Sequence, residues 1–305
     1  MRPPSDLPME LGHHFSCDAA VSVGVSRRRL RGGDLDSRFR GSRSVPVATR
    51  HTDEFARLHH ALVQRCLAFI PVAPAEFCFS HGTAATLYGI PLPLRLRRDL
   101  RIDVSVPVAR PQPRASGVRG HRLNLWEVRV FRGMPLVAPA VAWAQVANVL
   151  TLDELVIAGD YLVQRKHPKS SPDDLVAAAS VPRRGARQAR RALLDVRVGT
   201  DSPPESELRL VLVRAGLPEP LIGHTVIHEG YFVGTPDLAY VEQKVAIEYQ
   251  GSGHWLDRDV FEDDIIRREL FERAGWKVIL VTAPRLRQPA QLAAEVAAVL
   301  RERAV

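Results

Sequence analysis

Several residue types and patterns are scarce in this chain of 305 residues, and each shortage excludes a class of protein. The three cysteines, Cys17, Cys66 and Cys78, cannot all pair with one another, and none belongs to a Cys-x-x-Cys metal motif. No uncharged apolar run reaches the roughly 18 residues of a membrane span, and the first residues lack the layout of a signal peptide. We therefore expect a cytoplasmic protein that has free thiols and no membrane partner.

Acidic residues are also in the minority, because 34 Asp and Glu stand against 42 Lys and Arg, which leaves a net charge of +8. The excess is uneven, since residues 1–50 carry +4, residues 51–200 carry +9 and residues 201–305 carry −5. A basic surface attracts polyanions, and nucleic acid comes first among them. We therefore expect DNA to contact the basic part of the chain, while the acidic last third carries a separate chemistry.

Composition and turn signals divide the chain into three segments. Residues 1–50 are rich in Arg, Pro, Gly and Ser, which predicts a basic and partly disordered arm. Residues 51–199 combine helical periodicity with the alternating run Ile102–Val106, which predicts an α+β domain. The turn-forming residues Gly199–Pro204 mark a linker, so residues 200–305 form the last domain.

Two clusters of arginines are candidates for contacts with nucleic-acid phosphates. The first lies in the N-terminal segment and consists of Arg27, Arg28 and Arg29. The second occupies nine residues of the middle segment and consists of Arg183, Arg184, Arg187, Arg190 and Arg191. On a helix, most of the second cluster would share one face. A solvated basic surface without DNA is the alternative explanation of each cluster.

The last segment shows the element order helix, three strands, helix, strand, helix, which predicts an α/β sandwich around one mixed sheet. Its first helix begins at Ser202 and Pro203, and Glu205 stands three residues after Ser202. This spacing is that of a capping box with proline in the first turn. Capping of its own helix is therefore one role for Glu205.

A predicted hairpin follows, with strands over residues 234–241 and 244–250. If Glu242 and Gln243 form a two-residue loop, Asp237 faces Glu248 on the neighbouring strand. Strand alternation puts Gln250 on the same face as Glu248. The opposite face collects the bulky side chains Leu238, Tyr240, Val245, Ile247 and Tyr249.

The two facing carboxylates are the strongest chemical signal in the sequence. Two opposed carboxylates repel each other unless a positive charge lies between them. Oxygen ligands suit a hard divalent cation, so the pattern predicts a site for Mg²⁺ (or Mn²⁺) at Asp237 and Glu248. An exposed edge hairpin, with both carboxylates solvated, is the alternative.

These residues resemble a known family. Pro236-Asp237, then Glu248-x-Gln250, preceded by the helical Glu205, is similar to the PD-(D/E)xK nuclease superfamily. Over about residues 202–303 the chain looks like the bacterial branch related to the very-short-patch repair endonuclease. The motifs that carry this closer resemblance are Ile247-Glu248-Tyr249-Gln250-Gly251…His254, Asp264-x-x-Arg267 and Gly275-Trp276-Lys277-Val278.

The resemblance implies a restriction-endonuclease-like fold, metal binding by Asp237 and Glu248, and a direct or water-mediated metal contact from Glu205. Gln250 takes the position where many members have Lys, and an amide hydrogen-bonds without supplying charge. The resemblance implies that His254 acts as general base or phosphate donor, and a loop histidine without a role is the alternative. Arg267 would clamp a phosphate or pair with Asp264.

The middle segment resembles a second family over about residues 78–165. The run Phe79–Pro91, the strand at 100–107 and Gly120-His121-Arg122 are similar to the AbiEi-like antitoxin domain. This resemblance implies DNA binding and a toxin as a further partner, although most of the family's winged-helix module is shortened or absent. His81 and His121 are interpreted as structural rather than metal-binding.

Two functions from different classes follow from these patterns. The first is a Mg²⁺-dependent DNA endonuclease that hydrolyses phosphodiester bonds, in DNA repair or in defence against phages and mobile elements. The alternative is a non-catalytic DNA-binding regulator built on a decayed nuclease scaffold, which Gln250 and the shortened winged-helix segment favour.

Overall fold

A computed structural model describes residues 6–47, 53–124, 128–251 and 258–304, with the backbone alone for residues 258–265. The chain divides into two compact units. Unit 1 comprises residues 1–150 and 177–189, and unit 2 comprises residues 151–176 and 190–305. Both units combine helices with β-structure, and each contains a mixed sheet, which confirms the predicted α+β and α/β fold class.

Unit 1 begins with a small folded segment, which differs from the partly disordered arm expected from the sequence. The strand β1 (His14–Ser16) pairs antiparallel with β2 (Ser42–Ser44), and helix α1 (Cys17–Ser22) lies between them in the chain. Apolar residues among the arginines form a cluster that gives this segment its own core. The buried members of the cluster are Phe15, Ala20, Val25, Leu30 and Leu35.

The main sheet of unit 1 has five strands in the order β5-β4-β3-β7-β6. Its strands are β3 (Cys78–Phe79), β4 (Ile102–Pro107), β5 (Val118–Leu123), β6 (Val128–Phe131) and β7 (Met134–Val137). The helices that follow α1 are α2 (Glu54–Phe69), α3 (His81–Leu87), α4 (Leu94–Arg97) and α5 (Pro139–Val146). The alternation at Ile102–Val106 predicted β4 correctly, but its polar residues Asp103 and Ser105 are also buried. Buried polar side chains need partners, so this face of the sheet holds a polar network.

Unit 2 is an α/β sandwich. Its elements are α6 (Leu152–Leu162), α9 (Pro203–Arg214), β8 (Leu221–Ile222), β9 (Val226–His228), β10 (Tyr231–Gly234), β11 (Leu238–Tyr240), β12 (Val245–Gln250), α10 (Arg258–Arg273), β13 (Lys277–Thr282), α11 (Ala283–Leu286) and α12 (Pro289–Glu302). The chain passes from unit 2 to unit 1 within α7 (Pro172–Ser180) and back within α8 (Ala186–Leu193).

The sheet of unit 2 has the order β13-β12-β11-β8, with β12 and β13 parallel and the other pairs antiparallel. One face packs on α9 and α12 through a large apolar cluster that includes Leu208, Leu238 and Val296. The opposite face packs on α10 through Ala239, Phe271 and further residues. One mixed sheet between helices was the prediction for this segment, and it is confirmed.

The helix α6 belongs to unit 2, although the sequence placed it in the middle segment before residue 200. The contact that explains this is a buried ion pair between Arg209 on α9 and Asp160 on α6, with 3.0 Å between Nη2 and Oδ2. Both side chains are almost fully excluded from solvent. Separating the two helices would leave an uncompensated charge in the interior. The ion pair therefore keeps α6 and α9 in the same folding unit.

Among the described residues, no helix is long and apolar enough to cross a membrane. The three cysteines are free thiols, and Cys66 and Cys78 are buried.

Candidate functional site

The predicted register of the hairpin is confirmed. The strands β11 and β12 pair Leu238 with Ile247, Ala239 with Ala246 and Tyr240 with Val245. The same register, continued by one residue pair beyond the ladder, sets Asp237 opposite Glu248. The turn closes through a hydrogen bond from the Lys244 N–H to the Val241 carbonyl, 3.1 Å long.

The turn explains how an unfavourable pair, Glu242 and Gln243, connects the strands. Lys244 has a φ of 50°, so it adopts the left-handed conformation directly after the two loop residues. A turn followed by a left-handed residue is a common hairpin connection, and it does not need Asn or Gly inside the loop. The left-handed conformation of Lys244 costs free energy locally, and the hairpin register is kept at that cost.

The two faces of the hairpin differ as predicted. The bulky side chains contact α9 and α12, whereas Ala239 and Ala246 face Phe271 and Trp276. Small residues on this face leave room for large side chains from α10 and the start of β13. Asp237 and Glu248 lie where this alanine-lined face ends, and both are half-buried.

Asp237 carries a carboxyl group whose pKa is strongly shifted. Its Oδ2 accepts a hydrogen bond from the Tyr249 N–H at 2.8 Å. Burial, followed by the charges of Glu205 and Glu248, raises the pKa of Asp237 to about 7, against the opposing effects of the Tyr249 N–H and Arg267. The site therefore holds an excess of negative charge around Asp237.

Glu205 performs the capping role and also belongs to the electrostatic site. Its Oε2 accepts the Asp201 N–H at 2.8 Å, and its Oε1 accepts the Ser202 hydroxyl at 2.7 Å. The predicted capping box does not form, because Ser202 accepts no backbone N–H and Glu205 binds the N–H of Asp201 instead of that of Ser202. The charge of Glu205 nevertheless raises the pKa of Asp237, which shows that the two carboxylates are electrostatic neighbours.

Arg267 contacts the second carboxylate of the hairpin. Its Nη2 lies 2.7 Å from Glu248 Oε1 and donates a hydrogen bond to the Thr235 carbonyl at 2.8 Å. Gly234 allows this approach, because a Cβ there would lie 2.9 Å from the Phe271 ring and 3.3 Å from Arg267 Nε. The side chain of Asp264, the alternative partner of Arg267, is not among the described side chains, and His254 lies outside the described residues.

The chemistry of the donor set fits Mg²⁺. Asp237 and Glu248 supply hard oxygen ligands, and the raised pKa of Asp237 indicates negative charge that a divalent cation would offset. Within the described ranges, however, no three His, Cys, Asp or Glu side chains already form a metal-binding group. Gln250 ends β12 beside Thr282 of β13, half-buried and two residues beyond Glu248.

The predicted basic clusters occupy different environments. Arg27 and Arg28 are exposed, and Arg29 pairs with Asp34 at 2.6 Å. In the second cluster, Arg187, Arg190 and Arg191 are exposed on α8. Arg183 and Arg184 precede α8, so the predicted helical face does not include them.

Sequence reasoning missed an exposed apolar hairpin beside the site. The strands β9 and β10 pair antiparallel, and their side chains Ile227, Tyr231 and Phe232 are 65%, 76% and 68% exposed. Thr235, whose carbonyl binds Arg267, directly follows this hairpin. The signal in the sequence was the adjacent pair Tyr231 and Phe232 after Gly230. Such a pair is also typical of a core strand, and only the structure shows that these side chains are exposed.

Comparison with known proteins adds relatives without an assigned function. No protein-family model matches the chain, and no solved structure matches it. Two proteins of Mycobacterium tuberculosis, from strains CDC 1551 and H37Rv, are each 26% identical over 217 residues. The match covers 71% of this chain and 78% of each relative. Both relatives are described as uncharacterized proteins, so this similarity indicates no activity.

Proposed function

We propose that the protein is a Mg²⁺-dependent DNA endonuclease, with Mn²⁺ as a substitute metal, that acts in the cytoplasm in DNA repair or in defence against phages and mobile elements. The observation that carries this proposal is the confirmed hairpin register, which sets Asp237 opposite Glu248 at the end of the alanine-lined face. The negative charge around Asp237 supports it, because folds rarely collect carboxylates in a half-buried place for stability alone.

The residues of unit 2 would divide the work as follows. Asp237 and Glu248 would hold the ion, and Glu205 would reach it directly or through water. When bound, the metal supplies polarisation of a phosphoryl oxygen and a water of lowered pKa for in-line attack. Gln250 would orient that water by hydrogen bonding, while Arg267 would donate to a phosphate oxygen.

DNA would be held by positive charge outside the carboxylate site. The arginines Arg27, Arg28, Arg187, Arg190 and Arg191 are exposed and are candidates for contacts with phosphates. Arg183 and Arg184 are candidates for the same contacts. Arg29 would have to leave its partner Asp34 in order to bind a phosphate. His254 remains a predicted general base or phosphate donor.

One observation favours the alternative function, a non-catalytic DNA-binding regulator with a toxin as partner. The Arg267 guanidinium lies 2.7 Å from Glu248, so the protein itself already supplies a cation to one of the two carboxylates. Gln250 takes the position where many members of the resembled superfamily have a lysine, and an amide supplies no charge. Such a site could bind DNA without cutting it.

Nicking of supercoiled plasmid DNA under a titration of Mg²⁺ and Mn²⁺ separates the two functions. The endonuclease proposal expects metal-dependent nicking by the parent and a loss of at least about 100-fold in Asp237→Asn and Glu248→Gln. Glu242→Gln is the matched control, because it makes the same change at an exposed turn of the same hairpin.

Retention of DNA on gels without nicking at any metal concentration would support the regulator. Equal nicking by the parent and by both hairpin variants would show that a contaminant cuts the DNA, which would remove the basis of the endonuclease proposal.

A further inference from the structure

Unit 1 contains a polar network that the proposed nuclease chemistry does not use. Asp103 on β4 is 2% exposed, and Arg119 on β5 binds it with two hydrogen bonds of 2.8 and 2.9 Å. His121 Nε2 lies 3.0 Å from the same carboxylate, and the Thr83 N–H donates to it at 3.3 Å. The Asp103 charge is thereby satisfied within the network, and its role is to hold His121 and Arg119 in place.

His81 is stacked on His121, with 3.7 Å between the ring centroids and 18° between the planes. Burial, then the charge of His121, lowers the pKa of His81 to about 3, so its ring is neutral at physiological pH. Ser105 donates to Ser80 at 2.7 Å, which leaves the Ser80 hydrogen for His81 Nδ1 at 3.0 Å. We assign the ring proton of the neutral His81 to Nε2, the tautomer in which Ser80 donates to Nδ1, and Nε2 is then a donor.

Gln145 on α5 provides a second donor. Its Oε1 accepts the backbone N–H of His81 at 2.8 Å, and because a backbone N–H can only donate, this bond determines the orientation of the amide. The Gln145 side chain is 95% buried, yet its Nε2 has no hydrogen-bond partner among the described residues. A buried amide donor without a partner is costly, so an acceptor is expected at this position.

His81 and Gln145 line a cavity of about 630 Å³ in unit 1, a size typical of ligand sites. Three arginines, Arg122, Arg183 and Arg184, also line it, whereas none of the described lining residues is acidic. Arg183 is half-buried, and its Nε lacks a hydrogen-bond partner within the described part of the chain. Burial alone lowers the pKa of the Arg183 guanidinium, because no carboxylate compensates its charge.

The backbone at the site is also unusual. His81 has a φ of 46°, a left-handed conformation that costs free energy in a residue other than glycine. The conformation places its N–H against Gln145 and its ring against His121. Strain of this kind in a cavity wall is typical of a binding site.

We propose that this cavity binds a phosphate dianion, either inorganic phosphate or the phosphate group of a phosphate monoester, through donors from His81, Gln145 and Arg183. The groups that these three residues direct to a ligand donate hydrogen bonds, which favours a ligand that accepts them. Three arginines without a lining carboxylate favour a dianion over a singly charged carboxylate. The phosphate source is a small nucleotide or inorganic phosphate, because both present the same oxyanion.

Titration calorimetry in phosphate-free buffer tests the proposal, with inorganic phosphate, adenosine 5′-monophosphate, adenosine and acetate as probes. We expect saturable binding of both phosphates by the full chain and none of adenosine. Tighter binding of the nucleotide than of phosphate assigns a nucleotide as the source, and equal binding assigns phosphate alone. Acetate that binds as tightly as phosphate, or no saturable binding of either phosphate, would overturn the proposal.

Variants locate the binding in this cavity. Gln145→Glu keeps an acceptor for the His81 N–H but adds a negative charge, so phosphate affinity should fall at least about tenfold. Gln164→Glu makes the same change in unit 2 and should bind phosphate like the parent. Far-UV circular dichroism checks folding, and if Gln145→Glu unfolds, Arg183→Met must show the same loss. Unchanged affinity in a folded Gln145→Glu or Arg183→Met protein would refute the site.

The result is independent of the endonuclease proposal. Asp237→Asn lies in unit 2, so it should bind phosphate like the parent even where it cuts no DNA. A protein that binds phosphate but never nicks DNA would keep this site and lose only the nuclease function.

Discussion

At the scale of single residues, two groups with strongly shifted pKa values, Asp237 and His81, lie where partners from distant elements converge. Burial, and after it the charges of Glu205 and Glu248, raises the pKa of Asp237, whereas burial and the charge of His121 lower the pKa of His81. Neither residue is unusual in its local sequence. Their environments, and hence their chemistry, come from residues brought together by folding.

The His81 environment makes a prediction about stability and pH. The pKa of His81 is about 3 in the folded protein and 6.5 in an ordinary environment. Below about pH 6.5 the unfolded chain therefore takes up a proton that the folded protein refuses, and the free energy of unfolding falls as pH falls. The loss is at most about 1.4 kcal/mol for each pH unit down to the folded pKa.

The measurement is urea unfolding of the parent and of His81→Asn between pH 7.5 and pH 4.5 in phosphate-free buffer. Asn tolerates the left-handed backbone of His81, so the variant removes the titration with little added strain. We expect the parent to lose more stability than the variant as the pH falls. Parallel pH profiles for the two proteins would contradict a buried, neutral His81.

At the scale of elements, the two hairpins of unit 2 differ in how far their apolar side chains are buried. The β11–β12 hairpin is covered on both faces, whereas the β9–β10 hairpin exposes three large apolar side chains next to the candidate site. An exposed apolar surface of this kind usually meets a partner. Beside the proposed nuclease site, aromatic rings are suited to stack on bases of an opened strand.

The exposed hairpin predicts a contribution to DNA binding. A base stacked on an aromatic ring contributes about 1–3 kcal/mol, so the double variant Tyr231→Ser and Phe232→Ser should weaken DNA binding at least about fivefold. Fluorescence anisotropy with a labelled oligonucleotide measures the affinity. Val130→Ser removes a 78% exposed side chain from unit 1 and serves as control. If the double variant binds DNA as the control does, the hairpin has another partner.

At the scale of the whole molecule, the division of the chain does not follow the composition. The acidic segment begins near residue 200, but unit 2 also takes up residues 151–176 with the helix α6. The ion pair of Asp160 and Arg209 lies inside that unit, and Arg209 also binds Glu219 at 3.0 Å. A charged side chain that is 1% exposed needs these partners to remain buried.

This arrangement predicts which fragments fold. A fragment of residues 200–305 lacks Asp160 and the helix that covers α9, so it should show no cooperative transition in urea. A fragment of residues 151–305 retains both and should unfold cooperatively, as followed by far-UV circular dichroism. A shorter fragment that unfolds at the same urea concentration as the longer one would show that α6 is dispensable.

Local patterns in the sequence determined a large part of unit 2. The alternation of small and bulky residues over 237–249 was sufficient for the hairpin register, since shifting a strand by one residue would turn its apolar side chains away from the core. The mixed sheet between helices followed from the order of the elements. These features depend on short-range periodicity, which a single sequence displays directly.

Only the tertiary structure decided the contacts that give the residues their chemistry. Arg267 reaches Glu248 because glycine at 234 lets α10 approach the sheet, and Gln145 reaches the backbone of His81 from 64 residues away. The burial of Asp103 on the polar face of β4 likewise depends on what packs over it. Periodicity shows which side of an element is polar, but long-range packing determines whether that side meets water, an ion pair or a cavity.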